Sequence, residues 1–384
     1  MKVRLGDVCK IQSGGTPSRS EPTYWNHGII PWVKISDIKG KYLNTTEEYI
    51  TEAGLENSTA KIFLSGTILY TIFATLGETC ILNIDAATNQ AIAGIHVESN
   101  LVFNDYLYYY LVSQKDTISK MGRGVAQNNI NMKILREFEV PLPPLDEQRR
   151  IAAVLDNVSD LIAKRRAQLD KLDELVKARF VEMFWDPLID SGRYTKVPLG
   201  SLVEVGSSKR IFEKEYVREG IPFYRTKEIV ELSKGNQITT ELFITRQRYD
   251  EIKKEYGVPK AGDLLISAVG TIGVIWIVDG KNNFYFKDGN LLRVVTNEKF
   301  TPIYLKHLLE TLIGAYKLRM SSGTAYAALT ISALKEMLVY EVPIEEQKQF
   351  ASFVEQTDKS KLTIHQSLDK LEILKKALMQ QYFG

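Results

Sequence analysis

The feature that most limits what this chain can fold into is that its sequence is written twice. RLGDV, from Arg4 to Val8, returns as PLGSLVEV from Pro198, and IPWVKISDI, from Ile30, returns as IPFYRTKEI from Ile221. LSGTILYTIFATLGETCIL, from Leu64, matches KAGDLLISAVGTIGVIWIV, from Lys260, which sets Gly66 on Gly262 and Gly77 on Gly273 at an offset of 196. From Gly124 and Gly323 onward the offset is a steady 199, so VPLPPLDEQRRIA from Val140 falls on VYEVPIEEQKQFA from Val339. The order is kept, and 384 residues are enough for two or three domains that each bury a core. The organisation is A-B-A'-B', with A over residues 1–144, B over 145–185, A' over 186–344 and B' over 345–384.

B and B' read as long helices. Ile151, Leu155, Val158, Ile162, Arg165, Leu169, Leu172, Val176, Arg179 and Met183 follow alternating steps of four and three, a heptad seam. Adding 199 gives Phe350, Val354, Thr357, Lys361, Ile364, Leu368, Leu371, Lys375, Leu378 and Tyr382, the same ladder with more polar rungs. Each helix follows a proline, Pro144 or Pro343, carries acids in its first turn and has no internal Gly or Pro. Two helices of one length predict an antiparallel coiled coil with a pseudo-twofold axis. The other reading is that each helix covers its own globular block. Val154, Leu161, Leu175, Phe353 and Leu374 form a second apolar stripe, suited either to a partner's helices or to the chain's own blocks.

The blocks A and A' read as mixed. Short β-branched runs at 29–35, 67–74 and 92–97 precede an amphipathic helix near 104–119, and their counterparts lie at 221–226, 264–268, 274–278, 291–296 and 302–320. Strands clustered centrally with helices late predict an α+β class. The most apolar stretch, Leu264 to Val278, is interrupted by Gly270 and Gly273 and reads as a buried strand-turn-strand, not a membrane span.

The formal charge of +2 neither requires nor excludes a nucleic-acid partner. Two cysteines, Cys9 and Cys80, give no disulfide framework and no zinc spacing, and the four histidines are scattered, so no metal site is expected. With no apolar leader in MKVRLGDVCKIQSGG, a cytoplasmic location is expected. Catalytic motifs are missing too. There is no glycine-rich turn for S-adenosylmethionine and no G-x-x-x-x-G-K-[ST], H-E-x-x-H or G-x-S-x-G, and the only Pro-Pro opens a helix. The chain reads as a binder with no catalytic residue and no cofactor of its own.

Two diverged blocks, each followed by a long helix entered through PLPPLDEQRRIA or VPIEEQKQFA, resemble the specificity subunit of Type I restriction-modification systems over nearly the whole chain. SGGTPSR from Ser13 to Arg19, YWN from Tyr24, IPWVKISDI and the region Gly122 to Asn131 are similar to that family's first recognition domain, whereas SSKR from Ser207 replaces GGTPSR in the second block. The resemblance implies a noncatalytic subunit that reads a two-part target on double-stranded DNA. It also implies docking of two modification subunits, which carry S-adenosylmethionine and methylate adenines, with a restriction-translocase subunit as an optional further partner. The alternative from another class is a coiled-coil tether whose blocks bind proteins rather than DNA.

Comparing the copies nominates DNA contacts, since shared polar residues should position and differing ones specify. Lys34 and Arg225 occupy equivalent positions and are both basic. GRGVAQNN from Gly122 and SSGTAYAA from Ser321 lead to the candidate N-caps Asn131 and Thr330, and there Arg123, Gln127 and Asn128 face Ser322, Tyr326 and Ala327. Ser36 against Lys227, and the basic pairs Lys39 with Lys41 and Lys209 with Arg210, complete the candidates. Each also fits an ordinary solvated charge or polar turn.

Overall fold

The computed structural model describes residues 1–115, 117–118, 130–185, 194–320 and 328–384. The chain divides into two compact units, one made of Met1–Ala167 with His365–Gly384 and the other of Gln168–Ile364.

In the first unit a five-stranded sheet runs in the order Cys9–Ser13, Ile92–Val97, Ile68–Thr71, Thr79–Leu82, Tyr42–Leu43. Its first four strands pair antiparallel and the last pair is parallel. Strands Ile68–Thr71 and Thr79–Leu82 are buried at every residue, which explains their unbroken apolar run. Alternation sorts their side chains. Ile68, Tyr70 and Ile81 join the core under helix Asn104–Ser113, while Leu69, Cys80 and Leu82 face a second core with Val33 and Phe63 from a four-stranded sheet. Both thiols are free and buried, and burial pushes each up to about 12, so they pack as small apolar groups.

The second unit repeats this plan with sheet order Glu204–Gly206, Leu291–Val295, Leu264–Ser267, Ile275–Ile277. Leu264 and Ile266 lie in the core with helix Pro302–Met320, and Leu265 lies with Trp276, Phe284 and Tyr285 on the other face. The stretch 264–278 is the strand-turn-strand its glycines predict, and among the described residues no helix is long and apolar enough to cross a membrane. Sequence patterning misses two helices of this unit, Thr226–Ser233 and Arg246–Glu255; the corresponding place after the first block's IPWV strand holds only the 3-10 turn Ile35–Asp37.

The long helices are Leu145–Phe180, 36 residues followed by one π-helical turn over Val181–Trp185, and Ile344–Phe383, 40 residues. All twenty ladder positions are buried or half-buried. In the first unit Ile151 and Leu155 are buried in the block core, against which Leu378, Met379, Tyr382 and Phe383 pack, and Arg166 donates to Glu372 at 2.7 Å. In the second, Val176, Phe180 and Phe184 are buried with Phe350 and Val354, and Lys361 pairs with Asp173. In each unit the beginning of one helix therefore lies with the end of the other, an antiparallel arrangement, and the outer rungs also serve as block core. Both sequence readings of the seam are met. Val158 and Ile162 are buried, while Leu169, Leu172, Ile364, Leu368 and Leu371 are half-buried. At the end of the first helix the seam departs from the expected ladder, because Phe180 and Phe184 are buried in place of their neighbours Arg179 and Met183. After Val176 the buried stripe passes to Phe180 and Phe184 at steps of four, as the helix leaves the heptad register and enters its π turn.

The helix starts are fastened alike. Gln148 is fully buried; its Oε1 accepts the Phe103 N–H at 2.8 Å and its Nε2 donates to the Leu101 and Pro143 carbonyls, both at 2.9 Å. Gln347, also fully buried, accepts the Thr301 N–H at 2.8 Å and donates to the Lys299 and Val342 carbonyls, both at 2.9 Å. One glutamine per block satisfies three backbone groups that burial would otherwise orphan.

Candidate nucleic-acid interface

Each block carries a hairpin built by the same short-range chemistry. In the first, the Thr71 hydroxyl donates to the Thr75 carbonyl and accepts the Glu78 N–H at 2.8 Å, and Gly77 donates to the Thr71 carbonyl at 3.0 Å. In the second, the Ser267 hydroxyl donates to the Thr271 carbonyl and accepts the Val274 N–H at 2.9 Å, and Gly273 donates to the Ser267 carbonyl at 2.8 Å. Gly77 and Gly273 sit at φ +81° and +86°, which is why glycine recurs there; a Cβ at 273 would also come within 2.7 Å of Ile313.

The hairpin holds the exit of the expected recognition loop. Ile130 donates to the Ile72 carbonyl and Leu329 to the Ala268 carbonyl, each at 2.9 Å. The next residues are the N-caps the sequence predicts: Asn131 Oδ1 accepts the Ile134 N–H at 2.9 Å, and Thr330 Oγ1 accepts the Ala333 N–H at 3.0 Å. Arg123, Gln127, Asn128 and Tyr326 lie outside the described residues. Sequence reasoning passed over the hairpin tip. Phe73 there is 52% exposed, and Ala74 takes φ +61° where the second block has Gly270 at +74°. The signal was an aligned pair, FA against VG, in a turn that needs a left-handed residue.

Lys34 and Arg225 hold equivalent places at the starts of Ile35–Asp37 and Thr226–Ser233, with their N–H groups donated at 2.8 Å to Asp37 and Glu228 respectively. Both side chains are paired. The Lys34 ammonium lies 2.9 Å from Glu48 and 3.0 Å from Glu47, hydrogen bonds that raise its pKa. Arg225 donates to buried Glu228 at 2.9 Å; burial works to raise that carboxyl, but the Arg225 bonds outweigh it and the pKa falls. Glu48 also receives Arg19 at 2.6 Å, whose guanidinium stacks 3.7 Å from the Trp25 ring centroid. Trp32 donates its indole N–H to the Gly15 carbonyl at 3.1 Å. The first block's GGTPSR, YWN and IPWVK motifs thus form one arginine-tryptophan-carboxylate cluster ending at Lys34.

Lys41 has a different place from the surface contact its sequence position suggests. Its ammonium lies between Asp105, at 2.6 Å, and Asp156 of the long helix, with 15% of the side chain exposed. Burial pulls its pKa down, the two carboxylates outweigh that, and the net shift is upward. This lysine is spent on holding the block to the helix. Lys39 and Lys227 are exposed. Arg210 pairs with Asp288 at 2.7 Å. Lys209 is exposed, with its ammonium 5.0 Å from the Tyr256 ring centroid. Among the described residues no group of His, Cys, Asp and Glu is arranged to hold a metal ion.

Comparison with known proteins follows the same outline. The family description "Type I restriction modification DNA specificity domain" matches residues 1–172 and again 192–373. The MjaIX specificity subunit of Methanocaldococcus jannaschii is 27% identical over 383 residues, covering 92% of this chain and 85% of that protein. The EcoBI specificity subunit of Escherichia coli is 22% identical over 340 residues, covering 78% and 69%. The fold resembles the Type-I restriction-modification S subunit from M. genitalium, with a TM-score of 0.57 and 16% identity over 100% of this chain and 96% of that one. It also resembles a chain solved to explain complex assembly and conformational transition of the type I R-M system, with a TM-score of 0.62, 19% identity and coverage of 100% and 97%.

Proposed function

Because the chain belongs to the family of Type I restriction modification DNA specificity domains, which it carries twice, we propose that its two blocks read the two halves of an interrupted target on double-stranded DNA. The observation that supports this most is the duplicated anchor: in both blocks the hairpin carbonyl, Ile72 or Ala268, fixes the chain just before an N-cap, while the loop upstream differs in its reading residues. A shared frame with unlike side chains is what two different half-sites require. The long helices, of nearly fixed length, set the unspecified gap, for which docking about 10 bp apart on one duplex face leaves roughly 6 or 7 bp.

In this reading the subunit has no catalytic residue and binds no cofactor. Two modification subunits dock on it, bringing S-adenosylmethionine, and a restriction-translocase subunit can join in the cytoplasm. Exposed apolar residues of the long helices, among them Leu161, Ile373 and Leu374 in the first unit and Leu175 and Leu362 in the second, suit that docking. Block charges of -1 and +3 give little net attraction for phosphates, and Lys34, Lys41, Arg210 and Arg225 are already paired to carboxylates. Tight binding therefore needs the modification subunits around the duplex. Methylome sequencing with and without this gene tests the proposal. Loss of one two-part methylated motif is expected, and an unchanged methylome would favour the protein-binding tether.

A further inference from the structure

The two blocks diverge where SSKR stands in place of GGTPSR. Strand pairing fixes the correspondence: Gly94 lies between Leu69 and Gln12, and Arg293 lies between Leu265 and Gly206. In the first block this place is packed shut. A Cβ on Gly94 would come within 2.3 Å of the Phe63 ring, one on Gly14 within 2.0 Å of Thr88 Oγ1, and one on Gly15 within 2.3 Å of the Thr59 backbone. The second block has Ser208, Lys209 and Arg293 instead, and a cavity of about 250 Å3 lined by them with Ser207, Tyr256, Gly257, Tyr285 and Phe286.

The lining is built for an anion. Arg293 is held by Asp263, which accepts from Nε at 2.8 Å and Nη2 at 2.6 Å; the carboxylate is 4% exposed and is itself fixed by the Lys260 N–H at 2.8 Å. That grip uses one edge of the guanidinium and leaves the Nη1 donors, which Gly257 leaves uncovered: the nearest heavy atom to a Cβ built there is Nη1 itself, at 3.9 Å. The Lys209 backbone N–H is fixed on the Tyr285 hydroxyl at 2.7 Å, and no carboxylate lies within ion-pair distance of its ammonium among the described residues. The hydroxyl of Ser208 is buried without a hydrogen-bond partner among them. Asp288, the other acid at this loop, is committed to Arg210. A pre-oriented guanidinium edge, a free ammonium and serine hydroxyls are the donor set that grips a phosphoryl group.

We propose that this cavity is a phosphate seat present in the second block and closed in the first, with a DNA backbone phosphate as its occupant; the choice of DNA rests on the reading given under Proposed function. A free nucleotide carries the same chemistry, and two arms separate the sources. In one, the full chain with its modification subunit is titrated with duplex DNA over a range of salt. The double variant Asp263→Asn with Arg293→Met leaves the net charge unchanged, so a fall in its salt slope cannot come from the general field. It and Lys209→Ala should each lower the slope of log K against log salt by about 1. In the other, inorganic phosphate and a deoxynucleoside monophosphate are titrated into the full chain at constant ionic strength, with the melting temperature read.

Slope changes without small-anion binding identify a DNA phosphate. A rise in melting temperature that both variants abolish, with unchanged slopes, identifies a free anion and removes the DNA assignment. Unchanged slopes together with no anion response overturn the seat itself. Should the wild type fail to bind duplex DNA, the functional reading falls, while the anion arm still decides the cavity. A matching melting temperature for each unliganded variant shows that it folds.

Discussion

Replacing Gln148 by Leu removes three hydrogen bonds without changing the volume much, and the structure sets the scale of the loss. The Phe103 N–H and the Leu101 and Pro143 carbonyls all lose the partner that Gln148, fully buried, supplies. An unsatisfied buried group costs about 1–3 kcal/mol, and the two carbonyls relax more readily than the N–H, so about 4 kcal/mol is expected for the first unit. For a unit of this size, with roughly 2–4 °C per kcal/mol, the corresponding transition should fall by about 10 °C. Calorimetry resolves this, and Gln347→Leu should act on the second unit by a comparable amount because its three bonds repeat the first set. The two losses should add, since they touch no common partner. A drop below about 1 kcal/mol for Gln148→Leu, measured by urea unfolding, would refute the view that the glutamine clasps the block to its helix.

Ala74→Gly should raise stability by about 0.5–1 kcal/mol, because it relieves a left-handed alanine at a turn where the second block already has glycine; a lower melting temperature would count against this. His307, packed against Phe180 and Phe350, is held down to about 4 by burial and by Lys306, Lys361 and Lys177. A depressed histidine means the unfolded chain binds the extra proton first, so stability is full above about pH 6.5 and falls by up to about 3 kcal/mol as pH drops toward 4. Half-buried Glu310, whose pKa is raised, opposes part of this, and His307→Gln should flatten the acid limb of the melting curve; an unaltered limb would remove His307 as its cause. A chain of residues 1–190 keeps one complete ladder and should dimerise at micromolar concentration in a salt-sensitive way, since both copies bring Arg165 near the centre. A folded monomer in sedimentation would show that helix-on-block packing alone suffices.

The repeat, the long helices, the strand-turn-strand at 264–278 and both N-caps were legible because each rests on local chemistry: spacing, prolines, glycines and a capping side chain. What escaped depends on tertiary choice. Arg179 and Phe180 are neighbours, and only the block packed beside them decides which one turns inward. Lys41 and Lys39 look interchangeable in sequence, yet two carboxylates distant in the chain, Asp105 and Asp156, draw one inside and leave the other in solvent. Arg293 was readable in principle, as a charge aligned with Gly94 in an otherwise apolar strand, but its meaning needed the Phe63 ring that fills the first block's space. Among the loop candidates, Arg123, Gln127, Asn128 and Tyr326 stand as proposed from sequence.

The first unit takes its closing aromatics from the far end of the chain: Phe383 sits 5.2 Å from the Tyr106 ring and 6.1 Å from Tyr110, centroid to centroid. During synthesis the ribosome must add nearly two hundred residues between Ala167 and His365 before that segment exists, roughly 10–40 s at ordinary elongation rates. For that interval Tyr106 and Tyr110 lack their lid, and the nascent first block waits with apolar surface open to chaperones. Removing Tyr382 and Phe383 would therefore injure a domain most of whose residues were made more than two hundred positions earlier.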